Sequence, residues 1–155
     1  MKTLLVVAHS PSTNTRNLGR ALALTNFPNR SELDQLSINS LSPFATKTDH
    51  LTGADGILLF TTENFGYMSG ALKDMFDRLY YPCLDLTQGL PYCLCVRAGK
   101  DGAGTVRAVE AIATGLKWSV AQPPLVLQGE FQPQFIDRAE NYALTFATGL
   151  EMGIY

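Results

Sequence analysis

The sequence predicts an open α/β fold: five parallel strands in the order 2-1-3-4-5, covered by helices on both faces as a three-layer sandwich. Three observations predict it. Four short apolar runs, Leu4 to Ala8, Ile57 to Phe60, Tyr92 to Val96 and Leu125 to Leu127, are nearly continuous rather than alternating, as strands covered on both faces must be. Helix-period stripes lie between them, which is the alternation of a parallel sheet with crossover helices. The first, third and fourth strands are the most apolar and belong in the centre, whereas the second is polar enough for an edge. In that order the topological switch point falls between strands 1 and 3, so a ligand should meet the loops after strands 1, 3 and 4.

The elements follow in chain order. After the first strand, Leu18, Ala21 and Leu22 share a helix face, with Thr13 or Asn14 able to cap it. A weaker second strand is expected at Ser31 to Leu36, then a short helix within Ala45 to Thr52. Beyond the third strand, Leu72, Met75, Phe76 and Leu79 form an i, i+3, i+4, i+7 stripe starting at Ser69 or Gly70. Asp74 and Arg78 on its other face are spaced to pair. Val106, Val109, Ala113 and Leu116 mark the next helix, and the last opens near Pro133 and runs through Phe135, Ala139, Tyr142 and Phe146.

With 155 residues, 46% of them hydrophobic and 17% charged, the chain reads as one domain, residues 1–155. A net charge of −2 and the lack of a basic stripe exclude a nucleic-acid binder. The first apolar run is too short for a secretion signal or a membrane span, so a cytoplasmic protein is expected. Cys83, Cys93 and Cys95 lack framework spacing and read as buried reduced thiols, with Cys93 and Cys95 on one strand face. His50 is isolated and expected in solvent.

Three loops depart from the rest in composition. The first packs Ser10, Ser12, Thr13, Asn14 and Thr15 around a helix start. Free backbone N–H groups and small hydroxyls there suit a phosphate monoester, and the helix dipole adds about 0.3–1 kcal/mol of preference for an anion. Arg16 is tolerable in such a first turn beside a dianion. The bland alternative is an elaborate helix cap. The second loop, Thr61 to Gly70, sets Phe65 and Tyr67 around Gly66, with Met68 beside them. A planar isoalloxazine ring needs close backbone approach at its edge and an aromatic or apolar contact on its face, and this loop offers both. Tyr67 and Met68 are candidates for the open side where a substrate stacks. The third, Arg97 to Gly104, holds three glycines within six residues, space for the ring's pyrimidine end or for a second substrate. Arg97 and Lys100 are either partners for a nicotinamide cofactor's phosphates or solvated charges.

On these residues the chain resembles the flavodoxin-like FMN proteins, and looks most similar to NADPH-dependent FMN reductases and flavodoxin-type NAD(P)H:quinone oxidoreductases. Two segments carry the resemblance: SPSTNT, Ser10 to Thr15, and ADGILLFTTENFGYMSGALKDMFDR, Ala54 to Arg78. Three positions depart from the family pattern: Thr13 where glycine is usual, Thr62 where proline is common, and His9 in place of a small residue. The resemblance implies a flavodoxin-like sheet and an FMN site. Ser10, Ser12, Asn14 and Thr15 would hold the phosphate; Thr62, Glu63, Asn64, Phe65, Gly66 and Tyr67, with Ala98, Gly99 and Gly102, would embrace the ring. It further implies electron transfer from NAD(P)H through flavin to a quinone or similar small acceptor. Such relatives often assemble across a dimer interface, which leaves a homo-oligomer open.

Other functions are weighed against this one. An electron carrier binding FMN without its own nicotinamide-dependent activity would dock a redox partner protein through an acidic surface, which −2 hardly provides. A phospho-acceptor switch on this sheet needs an acidic pair after strand 1 and an aspartate ending strand 3. His9-Ser10 and Thr61-Thr62 stand there instead. No Ser/His/Asp or metal-ligand cluster is evident, and redox chemistry in a cofactor would need no side-chain base. A flavin-free interaction module stays open, because fold does not dictate function.

Overall fold

A computed structural model describes every residue, Met1–Tyr155. The chain builds β1 (Lys2–Ala8), α1 (Thr13–Leu22), β2 (Leu36–Leu41), α2 (Thr48–Thr52), β3 (Gly56–Asn64), β4 (Tyr67–Met68), α3 (Gly70–Cys83), β5 (Pro91–Ala98), α4 (Ala103–Gly115), β6 (Ser119–Val120), β7 (Leu125–Gln128) and α5 (Gln134–Glu151). The main sheet runs β2-β1-β3-β5, and both β6 and β7 pair with β5, all parallel. Counting β6 and β7 as one interrupted strand, this is the expected order. β4 is an addition, antiparallel to the end of β3.

Period-two alternation divides the core. Leu5, Val7, Ile57, Leu59, Leu94 and Val96 face α3 and α4 on one side, with α2 contributing Leu51. Leu4, Val6, Leu58, Phe60, Cys93 and Cys95 face α1 and α5 on the other. Each central strand thus supplies both cores, which is why its sequence is an unbroken apolar run. The three thiols are free and buried, and desolvation pushes those of Cys93 and Cys95 upward. No helix is long and apolar enough to cross a membrane.

Several boundaries differ from expectation. The second strand lies at Leu36–Leu41, while Arg30–Glu32 forms a 3-10 turn. Pairing with β1, Lys2 opposite Leu36 through Val7 opposite Leu41, sets that register. Arg30 instead donates to the carbonyls of Ala23 and Leu24 at 3.1 and 3.2 Å, closing the end of α1. The α1 cap is Ser12, not Thr13 or Asn14. His50 is half-buried in α2, where its Nδ1 accepts from the Lys47 N–H at 3.0 Å. Asp74 and Arg78 pair as expected at 2.7 Å, and Arg78 also donates to the Thr46 and Pro43 carbonyls.

The fifth strand is interrupted for a covalent reason. Pro123 and Pro124 have no N–H to give a ladder. In the gap the Tyr142 hydroxyl of α5 accepts from the Leu94 N–H at 3.2 Å and lies 3.1 and 2.8 Å from the Leu94 and Pro123 carbonyls. A phenol therefore does the work of a missing backbone group. Burial raises its pKa far above the ordinary tyrosine value, keeping the proton in place.

Candidate functional site

The carboxyl ends of β1, β3 and β5 lie side by side and bring the three singled-out loops to one edge of the sheet. The first opens α1 through a reciprocal cap. Ser12 Oγ accepts from the Thr15 N–H at 3.2 Å, and Thr15 Oγ1 accepts from the Ser12 N–H at 2.8 Å. Thr15 is buried and also donates to the Ser12 carbonyl at 3.0 Å, so its hydroxyl is committed to the turn. The N–H groups of Ser10, Thr13 and Asn14 have no protein partner. Three donors at a helix start, with no acid in its first turn, make the anion cradle that a helix N-terminus offers. His9 continues the sheet, its N–H donating to Phe60 O at 3.0 Å. Partial burial lowers its imidazole pKa, which favours the neutral form.

The second segment is not the irregular loop expected from its composition. Thr61 to Asn64 continue β3, and Glu63 and Asn64 pair with Met68 and Tyr67 of β4. Only Phe65 and Gly66 form the turn, with φ of 53° and 71°. Positive φ at both central positions defines the I′ hairpin turn, where asparagine, aspartate and glycine are at home. A phenylalanine in the left-handed region is costly, and Phe65 is moreover fully exposed at 108%. Its N–H and that of Gly66 have no protein partner. Tyr67 is partly exposed, but Met68 is 2% exposed and packs into the core, so it does not face the open side.

The hairpin is held from beneath by contacts that the sequence pattern does not show, most of them made by residues of the second and third loops, with Thr105 added. Buried Thr61 Oγ1 accepts from the Ser69 N–H at 3.0 Å and donates to Thr62 O at 2.9 Å. Ser69 then caps α3 through the Leu72 N–H at 3.1 Å. Thr105 Oγ1 donates to the Tyr67 carbonyl at 2.9 Å, and a Cβ at Gly104 would overlap the Gly66 carbonyl oxygen. The start of α4 is therefore a platform for the turn. Thr62 Oγ1 donates to Asn64 Oδ1 at 2.9 Å, aligning those two side chains along the strand end.

The third loop meets the second through Glu63, whose Oε1 accepts from the Lys100 N–H at 2.9 Å. Gly99 has open space where a Cβ would stand. Ala98 and Gly102 face inward: Ala98 is fully buried, and a Cβ on Gly102 would press 3.0 Å from Val126 Cγ1. Ala98 accepts through its carbonyl from the Gly129 N–H at 2.9 Å and from Arg97 at 2.9 Å. Arg97 also donates to Leu127 O at 3.1 Å and stands 5.1 Å from the Phe135 ring centroid, so it staples β5 to β7 and is no solvated charge. The face between the second and third loops is open rather than hollow: no cavity of the structure is lined by residues 62–67 or 98–102.

No protein-family model and no curated sequence matches the chain. Solved structures do. An archaeal flavodoxin superposes with a TM-score of 0.74 at 16% identity, covering 96% of this chain and 99% of its own. The fold is that of the flavodoxins. A flavodoxin, WrbA-like protein from Agrobacterium tumefaciens gives 0.72 at 17% identity, over 98% of this chain and 99% of its own. An oxidoreductase from Corynebacterium diphtheriae gives 0.68 at 17%, over 99% and 98%. At such identities the likeness is one of architecture. In a flavodoxin-like sheet the β1, β3 and β5 loops flank the switch point, and the cradle and the strained hairpin stand at that place here.

Proposed function

We propose that the chain binds FMN at these loops and passes electrons from NAD(P)H through the flavin to a quinone or similar small acceptor. The observation that carries this reading is the hairpin at the end of β3. It holds an exposed aromatic in a backbone conformation that its own side chain disfavours, beside two unpartnered N–H groups. Strain of this kind persists where the surrounding structure enforces it, and it clusters at ligand clamps.

The residues fit the cofactor. The Ser10, Thr13 and Asn14 N–H groups would receive the phosphate, with the Ser12 and Thr15 hydroxyls shaping the turn that presents them. Phe65 and Tyr67 supply aromatic surface for a ring face. The N–H groups of Phe65, Gly66 and Gly99 supply donors for its edge. When bound, FMN supplies the hydride and one-electron chemistry. The chain's part is to bind, orient and leave one side of the ring accessible, and an open face between the loops does that. Thr62 and Asn64 bond each other, while Glu63 sets the spacing of the hairpin from the third loop.

Titration of the purified protein with FMN, followed by flavin fluorescence, tests the cofactor. Saturable one-to-one binding is expected. Asn14→Asp sets a carboxylate beside the phosphate and should weaken that binding at least tenfold, about 1.4 kcal/mol; equal affinity in the variant would remove the cradle assignment. NAD(P)H oxidation with a quinone then separates the enzyme from a carrier docking to a redox partner protein, which should turn over negligibly.

Phe65→Gly should act with opposite signs on stability and ligand. Relief of the left-handed strain is expected to stabilise the free protein by about 1 kcal/mol, while loss of the aromatic face weakens FMN. Chemical unfolding and the same fluorescence titration read the two effects separately. A variant weakened in both would place Phe65 among ordinary packing residues.

A further inference from the structure

We propose that the cleft between α1 and the carboxyl end of β2 is a second oxyanion site, built to take a phosphate monoester. It holds about 240 Å³ and its wall includes Ser10, Arg16, Gly19, Arg20, Ser40 and Ser42. It runs along the flank of α1 rather than at its tip. Arg20 lies seven residues beyond Thr13, roughly 10 Å along the helix axis, while Ser10 belongs to both places, its N–H at the tip and its hydroxyl in the cleft wall beside Gly19.

The charge is one-sided. No carboxylate lines the cleft, and α1 contains no acidic residue at all. Arg16 and Arg20 stand at i, i+4, a repulsive spacing on a bare helix. Neither forms an ion pair; the two ion pairs of the chain are both on α3. Arg16 gives one N–H to Thr13 Oγ1 at 3.0 Å, and the rest of its fork has no protein partner. Arg20 also borders a neighbouring cavity that contains Glu140, without forming an ion pair to it.

The opposite wall supplies neutral donors. The hydroxyls of Ser10 and Ser40 bond no protein atom, and that of Thr25 at the cleft's end is equally free. Ser42 Oγ accepts from the Ala45 N–H at 3.2 Å, which leaves its proton to donate. Gly19 explains how the wall comes so close. A Cβ there would stand 2.9 Å from Ser10 Oγ, so a residue unfavourable inside a helix is what lets this hydroxyl lie against α1. Two arginines and several hydroxyls lining one cleft match the oxygens of a phosphate monoester better than the two of a carboxylate.

The site borders the FMN cradle through Ser10 but draws its charge from Arg16 and Arg20, and its test keeps the two apart. Binding of inorganic phosphate is measured against chloride at matched ionic strength, by calorimetry, on the wild type, Arg20→Gln, the Arg16→Gln/Arg20→Gln double variant and Asn14→Asp. Both arginines are exposed on α1, and circular dichroism checks that the helix is retained. Saturable binding is expected, weakened about tenfold by Arg20→Gln and further by the double change, yet preserved in Asn14→Asp. No saturable binding to the wild type overturns the proposal, as does binding untouched in the arginine variants, whatever the Asn14→Asp result. Competition then names the source. Displacement by NADP⁺ and not by NAD⁺ assigns the 2′-phosphate of the nicotinamide cofactor, and displacement by neither assigns a separate phosphorylated metabolite.

Discussion

Tyr142→Phe should destabilise the protein by about 2–4 kcal/mol, because it removes a hydroxyl standing where a strand ought to be. In the wild type that oxygen accepts from the Leu94 N–H and gives its single proton to the Leu94 or the Pro123 carbonyl, of which only Leu94 is buried. Leu94 is 3% exposed in the central strand β5, so water cannot replace the lost partner without opening the sheet. The ring itself is conserved by the change, and packing against the Cys93 side of the core should survive. The loss is thus one of hydrogen bonding alone, at about 1–3 kcal/mol for each buried group left unsatisfied. Urea unfolding checks the magnitude. A loss below about 0.5 kcal/mol, the usual range of surface substitutions, would mean that the interrupted strand closes by another route.

Gly104→Ala should displace the hairpin that carries Phe65 and weaken FMN binding about tenfold, the equivalent of about 1.4 kcal/mol. The obstacle is a backbone oxygen, that of Gly66, which has no rotamer to escape into. Helix propensity pulls the other way, because alanine is favoured over glycine by up to about 1 kcal/mol inside a helix. Near the first turn of α4 that gain is smaller, and overpacking against a rigid neighbour costs about 1–3 kcal/mol. The Thr105 bond to Tyr67 O at 2.9 Å restrains any retreat of the hairpin. Fluorescence titration with FMN and urea unfolding measure both consequences. Unchanged affinity would show that the turn rides free of α4.

What could be read in the sequence was set by burial. β1, β3 and β5 are covered on both faces, so nearly every residue is apolar and the runs are unmistakable. The α3 stripe, its start at Ser69 and the Asp74–Arg78 pair follow from helical spacing alone. β2 lies beyond the expected Ser31 to Leu36 because an edge strand with one neighbour can carry Ser37, Asn39 and Ser40, and then its pattern is barely apolar. The extension of β3 was hidden for a similar reason: Thr61 to Asn64 are polar, and Phe65 is an unusual residue for a tight turn. At the site, the hydroxyl-rich first loop and the Phe65-Gly66 pair were visible, whereas the supports were not. Gly104 and Thr105 act across space on a hairpin nearly forty residues earlier in the chain. The cleft beside α1 left a fainter trace, two arginines four apart around a glycine on a helix without acids.

The proline-broken margin has a consequence for how molecules of this protein meet. β6 is two residues long and β7 four, with Gln122, Pro123 and Pro124 among the residues between them. An approaching extended chain finds no continuous row of donors and acceptors on which to zip. The far border of the sheet is thereby guarded against growth by strand addition, and crowded copies can stay apart without a covering helix.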